Sequence, residues 1–141
     1  MTKPAQKPLT KGEFEALSAF RFQLRRFERF SEDAVQAFDV TPLQYLLLLH
    51  VKGFPGRDWA SVGELAERLQ AKPNGVVALV TRCEERRFVE RRPSPTDRRQ
   101  VQIHLLPEGE RVLGHLASLH RTELQSLGSV FSIPSINAGD R

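Results

Sequence analysis

Ser61-Val62-Gly63-Glu64-Leu65-Ala66-Glu67-Arg68-Leu69-Gln70-Ala71-Lys72-Pro73-Asn74-Gly75-Val76-Val77-Ala78-Leu79-Val80-Thr81-Arg82-Cys83 reads as two short helices joined by a tight turn. Ser61 and Glu64 form a capping box, in which the serine hydroxyl accepts from the Glu64 backbone N–H and the glutamate reaches back. Leu65, Ala66 and Leu69 give the first helix one apolar face. Gln70-Ala71-Lys72 makes the turn. Pro73 fits the first position of the second helix, where its missing N–H costs nothing. Val76, Leu79, Val80 and Cys83 then fall at i, i+3, i+4 and i+7, a single buried stripe. The opposite face carries Asn74, Gly75, Val77, Ala78, Thr81 and Arg82. Its small residues suit a close approach to a groove floor, and Asn74 and Arg82 suit base edges.

Phe88 to Arg92 and Gln100 to Leu106 are expected to pair as a hairpin across a loop from Pro93 to Arg99. Val101, Ile103 and Leu105 alternate with Gln100, Gln102 and His104, the period of a strand with one buried face. Helix, turn, helix and basic hairpin together make a winged helix-turn-helix. A small α+β domain with no nucleic-acid partner has the same outline, and charge separates the two. Lys72 to Arg99 holds eight Lys/Arg and four Asp/Glu, and the rest of the chain holds thirteen of each. The whole net charge of +4 therefore sits on the second helix and the wing. A phosphate-binding face gives a reason for that concentration; a merely solvated face does not.

Outward from this core, Thr10 to Glu13 is a second capping box opening a long helix, with Phe14, Leu17, Phe20, Phe27, Ala34 and Phe38 along its apolar side and Leu24 and Phe30 widening it. Continuous to Phe38, it would run about 40 Å, more than a domain of this size covers, so part of it must pack on something else. Its charges, Arg21, Arg25, Arg26 and Arg29 against Glu28, Glu32 and Asp33, suit a solvated flank. Thr41 to Gln44 is a third capping box, and its helix, apolar nearly all round, is expected to end near Lys52 and Gly53 as a buried central element. Trp59-Ala60 is a candidate third strand beside the wing. Pro107 and Glu108 open a last long helix, with Val112, Leu113, Leu116, Leu119, His120, Leu124 and Leu127 at helical period. Val130, Phe131, Ile133 and Ile136 are the anchors of a short docked segment before a frayed tail.

The stretch from Thr41 to Leu113 resembles the MarR-type (multiple antibiotic resistance regulator) transcription factors. The most specific part is Arg82-Cys83-Glu84-Glu85-Arg86-Arg87-Phe88-Val89-Glu90-Arg91-Arg92, then Asp97-Arg98-Arg99, then Leu105-Leu106-Pro107-Glu108-Gly109. The family pattern is a helix ending in RLExxGLVxR, a wing with D-x-R, and LTxxG opening the next helix. Arg87 stands where the family has a helix-ending glycine, which suits a left-handed cap better. Leu106 stands where it has threonine, so the following helix lacks a side-chain N-cap, a loss of about 1 kcal/mol. The resemblance implies a mostly α fold with a small β-hairpin wing, in one domain over 1–141: dimerisation helices at 10–38 and 107–131, a winged lobe at 41–106, and flexible ends at 1–9 and 132–141. It implies a homodimeric repressor on a pseudo-palindromic operator in double-stranded DNA. Lys72 is expected on phosphate, Asn74 and Arg82 on bases, and Val77 or Ala78 on a thymine methyl. Arg98 and Arg99 are expected in the minor groove with Asp97 positioning them by a charge-assisted hydrogen bond, and Arg91 and Arg92 add backbone attraction. A small aromatic effector is a further partner the family implies, in a pocket involving Phe20, Phe27, Tyr45 and His50. An aromatic stripe at helical spacing equally suits ordinary core, the better-supported reading of those four. The alternative function is a protein-interaction module of antirepressor type, with weak, sequence-blind DNA binding.

Composition fits this reading. The chain has 141 residues, 40% apolar and 27% charged, ordinary for a globular domain. Its first residues are polar, without a secretory pattern, and no apolar run approaches the ~20 residues that span a bilayer, so the expectation is a cytoplasmic protein with no membrane partner. One cysteine leaves no disulfide within the chain. On the buried stripe, Cys83 reads as a small hydrophobe rather than a redox sensor. None of His50, His104, His115 and His120 pairs with another at metal-ligand spacing on a helix face. There is no phosphate-binding glycine loop and no nucleophile elbow, so no enzyme, metal or cofactor is expected.

Overall fold

The computed structural model describes residues 7–128 and 132–136. Three of its helices start where a capping box sets them. Thr10, Thr41 and Ser61 accept from the N–H three residues ahead at 3.1, 3.1 and 3.2 Å. Glu13, Gln44 and Glu64 return the bond to the cap residue's N–H at 2.9, 3.0 and 2.8 Å. These helices are α1 (Lys11–Gln36), α2 (Pro42–Lys52) and α3 (Val62–Leu69). Strand β1 (Trp59–Ser61) runs directly into α3, and α4 (Pro73–Glu85), β2 (Val89–Pro93), β3 (Val101–Leu105) and α5 (Pro107–Leu127) follow.

The three strands form one antiparallel sheet in the order β1-β3-β2, with Ile103 facing Ala60 on one side and Arg91 on the other. The core lies between this sheet and the helices. Leu47, Leu48 and Val51 of α2, Leu65 of α3, Val80 and Cys83 of α4 and Leu116 of α5 are fully buried there. All four stripe residues of α4 are buried, and Trp59 and Ala60 do supply the third strand. Helix α2 is central but not enclosed, since Leu43 and Leu49 stay exposed.

Several boundaries differ from expectation. Helix α1 stops at Gln36 rather than Phe38, because the chain turns through Asp39 in a left-handed conformation and the Val40 N–H returns to the Val35 carbonyl. Helix α5 closes at Leu127, and the anchors expected at Val130 and Phe131 lie outside the described residues. Ile133 is 83% exposed and so is no anchor among the described residues. Of the alternating wing residues only Ile103 is fully buried. Val101 faces Pro93 near the hairpin's outer end, beyond the body that covers Ile103, and is exposed.

The end of α4 is a Schellman motif. The Phe88 N–H bonds the Cys83 carbonyl and the Arg87 N–H bonds the Glu84 carbonyl, both at 2.9 Å. The motif places Arg87 at φ 58°, a left-handed position held without glycine. Arg87→Gly is therefore expected to stabilise the fold by about 0.5–1 kcal/mol, the relief of strain exceeding the entropy glycine loses on folding. Thermal melts at matched protein concentration check this, and a lowered midpoint would refute strain at Arg87.

Helix α5 begins without a side-chain cap at Leu106. Instead the Leu106 N–H donates to the Phe88 carbonyl at 2.8 Å. The first turn of α5 sits so close to that carbonyl that a Cβ on Gly109 would lie 2.1 Å from its oxygen. No helix among the described residues is long and apolar enough to cross a membrane.

Candidate nucleic-acid interface

Helices α3 and α4 are joined by Gln70, Ala71 and Lys72. Gln70 takes the left-handed position (φ 52°) that lets the chain turn in so few residues, and its side-chain amide donates to the Glu67 carbonyl at 2.7 Å. The buried stripe of α4 then turns Lys72, Asn74, Val77, Ala78, Thr81 and Arg82 outward, and all six are exposed. Val77 is 45% exposed on this outer face.

At the wing tip, Ser94 Oγ accepts from the N–H groups of Thr96 and Asp97 at 3.3 and 3.1 Å. Asp97 Oδ1 accepts from the Arg99 N–H at 2.9 Å. This bond is charge-assisted and goes to the Arg99 backbone, not to a guanidinium. A carboxylate two residues back reaches the backbone N–H more readily than a guanidinium at the end of a long side chain. Asp97 thus shapes the loop that presents Arg98 and Arg99, and both arginines are exposed.

Among the described residues the ion pairs divide the basic cluster in two. Arg91 pairs with Glu84 and Arg92 with Glu90. Lys72, Arg82, Arg98 and Arg99 have no carboxylate partner there. Arg86 and Arg87, just past the end of α4, have none either, so the positive charge is open at α4, at its end and at the wing tip, and compensated only on β2.

Two of the four residues expected to line a pocket come together. Tyr45 and Phe27 meet at His120, which the sequence had placed only in the apolar period of α5. The Tyr45 and His120 rings stack at 4.7 Å, and Phe27 and Phe30 meet His120 edge-on at 5.9 and 5.7 Å. His120 Nδ1 donates to the Leu116 carbonyl and Nε2 shares a hydrogen bond with Ser31 Oγ, each at 2.7 Å. His50 lies apart, beside α3, where burial and then the Arg68 charge hold its pKa below the usual histidine range. Phe20 is half-buried on α1. An open apolar hollow of about 400 Å³ lies beside Phe27, lined by Leu24, Leu124, Leu127 and Gly128. Cys83 is fully buried, and burial pushes its thiol up to about 11, as expected of an inert core cysteine. No group of three His, Cys, Asp or Glu that could hold a metal occurs among the described residues.

Residues 38–100, from the end of α1 to the wing tip, match the sequence model described as MarR family. Over these residues the chain is similar to the MarR family. It is 32% identical over 85 residues to the uncharacterised HTH-type transcriptional regulator YsmB of Bacillus subtilis, covering 56% of this chain and 58% of that protein. It is 28% identical over 87 residues to the HTH-type transcriptional repressor MdtR of the same organism, covering 60% of this chain and 54% of that protein. The matched segment thus spans little more than half the length of these curated relatives. AbsC, a MarR family transcriptional regulator from Streptomyces coelicolor, shares the fold with a TM-score of 0.75 at 22% identity, over 91% of this chain and 86% of that one. A mutant of Staphylococcus aureus MepR bound to an oligodeoxyribonucleotide superposes with a TM-score of 0.65 at 21% identity, over 80% of this chain and 81% of that one.

Proposed function

We propose that this chain is a MarR-family, sequence-specific regulator of transcription that binds double-stranded DNA as a homodimer and represses by occupying promoter DNA. The observation that carries this is the split of the basic cluster. Among the described residues Lys72 and Arg82 at α4 and Arg98 and Arg99 at the wing tip have no carboxylate partner, whereas Arg91 and Arg92 of β2 do, and a duplex offers those two open places a major groove and the adjacent minor groove. In this reading Lys72 meets phosphate, Asn74 and Arg82 meet base edges, and exposed Val77 or Ala78 meets a thymine methyl. Arg98 and Arg99 enter the minor groove, with Asp97 ordering their loop. The long α1 and α5 form the dimer through the exposed apolar residues Phe14, Phe22, Leu119 and Leu124. A small aromatic effector, where one is used, belongs near Phe27 and Tyr45, on the side that carries the open apolar hollow.

Selection of bound sequences from a random duplex pool at physiological salt tests this reading. The expected result is a pseudo-palindrome with half-sites about one helical turn apart. Affinity for it is expected to fall steeply with salt, each neutralised phosphate adding roughly −0.9 to the log–log slope. No enrichment, or a flat salt dependence, would overturn the reading and favour a protein-interaction module instead.

A further inference from the structure

Arg91 carries a full charge on the basic side of the molecule, yet its side chain is turned inward. It lies on β2, and its guanidinium reaches across to α4. One nitrogen, Nη1, pairs with Glu84. The other, Nη2, donates to the Val77 carbonyl and to Thr81 Oγ1, each at 3.2 Å. The Arg91 backbone N–H donates to the second Glu84 oxygen at 3.3 Å. The three partners, Val77, Thr81 and Glu84, follow one another along a single edge of α4 at helical spacing. A planar guanidinium held by a carboxylate, a carbonyl and a hydroxyl fixes direction as well as distance, which an ammonium does not.

The place of this contact gives it leverage. Strand β2 is at the edge of the sheet, so no further strand holds it on the α4 side. Val77 and Thr81 also lie on the outer face of α4, and Arg98 and Arg99 stand at the far end of the same hairpin. From Arg91 to the tip is about five residues, or roughly 17 Å of extended chain. A tilt of 10° about Arg91 moves the tip by about 3 Å, enough to take a guanidinium out of hydrogen-bond reach of a fixed groove.

We propose that Arg91, locked by Glu84, is the positioning residue that sets the angle between α4 and the wing, so that both grooves are engaged at once, and that it makes no phosphate contact itself. This role rests on the DNA-binding reading above.

The experiment uses the full chain, with Arg91→Met, Arg91→Lys, Glu84→Gln and the Arg91→Met/Glu84→Gln double variant. Residual dipolar couplings of the β2 and β3 N–H groups against those of α4 read the hairpin orientation without DNA. Arg91→Met and Glu84→Gln are each expected to shift or broaden it, and an unchanged orientation overturns the proposal. Affinity is then measured against the selected duplex and a random duplex over a salt series. Arg91→Met and Glu84→Gln are each expected to lose roughly ten- to a hundred-fold on the selected duplex and less than about two-fold on the random one, with the salt slope unchanged. The double variant is expected to be no weaker than the singles, because one contact is broken in all three. Arg91→Lys, which keeps the charge but not the planar fork, is expected to restore only part of the loss. Direct phosphate binding by Arg91 predicts the reverse pattern. Arg91→Met would weaken both duplexes and lower the slope by roughly 0.9, Arg91→Lys would bind normally, and Glu84→Gln would bind more tightly. That pattern overturns the proposal and leaves the DNA reading standing, whereas a wild-type chain that selects no sequence overturns both.

Discussion

Adding one methyl group at Gly109 is expected to lower the thermal midpoint by roughly 10 °C. Gly109 sits in the first turn of α5, above the Phe88 carbonyl. A Cβ there would stand 2.1 Å from that oxygen and 2.9 Å from its carbon. Neither side yields easily. The oxygen accepts the Leu106 N–H at 2.8 Å, and Leu106 has no side-chain cap to replace that bond. Phe88 is fully buried and closes the Schellman motif of α4, so its backbone is held from the other direction as well. Relief requires α5 to move away from the end of α4. Overpacking of this kind costs about 3 kcal/mol where backbone rather than a side-chain tip must give, and for a chain of this length that is roughly 10 °C.

Gly114 supplies the control in the same helix. A Cβ there meets nothing within 4 Å, so Gly114→Ala is expected to gain about 0.5–1 kcal/mol from helix propensity alone. Melts of both variants at matched concentration read the two signs. Equal and small effects would show that α5 is not pinned on Phe88, and would remove the reason for a glycine at the start of that helix.

The sequence made the helical framework legible because its signals are local. Thr10, Thr41 and Ser61 sit three residues before Glu13, Gln44 and Glu64, and each pair forms a capping box. Val76, Leu79, Val80 and Cys83 repeat at the helical period and all are buried. The misjudged features depend on what lies across a gap in sequence. The period-two pattern of β3 was read correctly as a strand, but burial of Val101 depends on how far the body extends under the hairpin, which periodicity does not encode. Asp97 holds the Arg99 backbone N–H, a partner atom that the sequence leaves unspecified. Gln70 and Arg87 adopt left-handed conformations without the glycine that would announce them. Arg87 was anticipated only because the family motif has glycine there. His120 gathers Phe27, Phe30, Tyr45 and Ser31 from two other helices. Its Ser31 partner is 89 residues away, the two phenylalanines lie farther still, and no spacing rule reaches that far.

The same distinction matters most for the charges. The sequence located a net +4 between Lys72 and Arg99, but not which cations are already answered by carboxylates. Arg91 and Arg92 are answered. Arg98 and Arg99 are exposed and face no acid among the described residues, apart from the backbone bond that Asp97 makes to shape their loop. Replacing both with alanine is therefore expected to weaken operator binding by roughly a hundred- to a thousand-fold, about 3–4 kcal/mol. The fold should not suffer, since the loop is held by Ser94, Asp97 and backbone bonds that alanine leaves in place. The salt slope should fall by up to roughly 0.9 for each charge removed. Asp97→Asn gives the complementary case. It keeps an oxygen acceptor for the Arg99 N–H and both arginines, so it is expected to cost far less than the double substitution. Titrations over a salt series, beside melts of each variant, separate loss of contact from loss of structure. Unchanged operator affinity in the double-alanine variant would sink the wing assignment. Sequence reading would then rest on α4 alone, with Asn74, Val77, Ala78 and Arg82 as its whole alphabet.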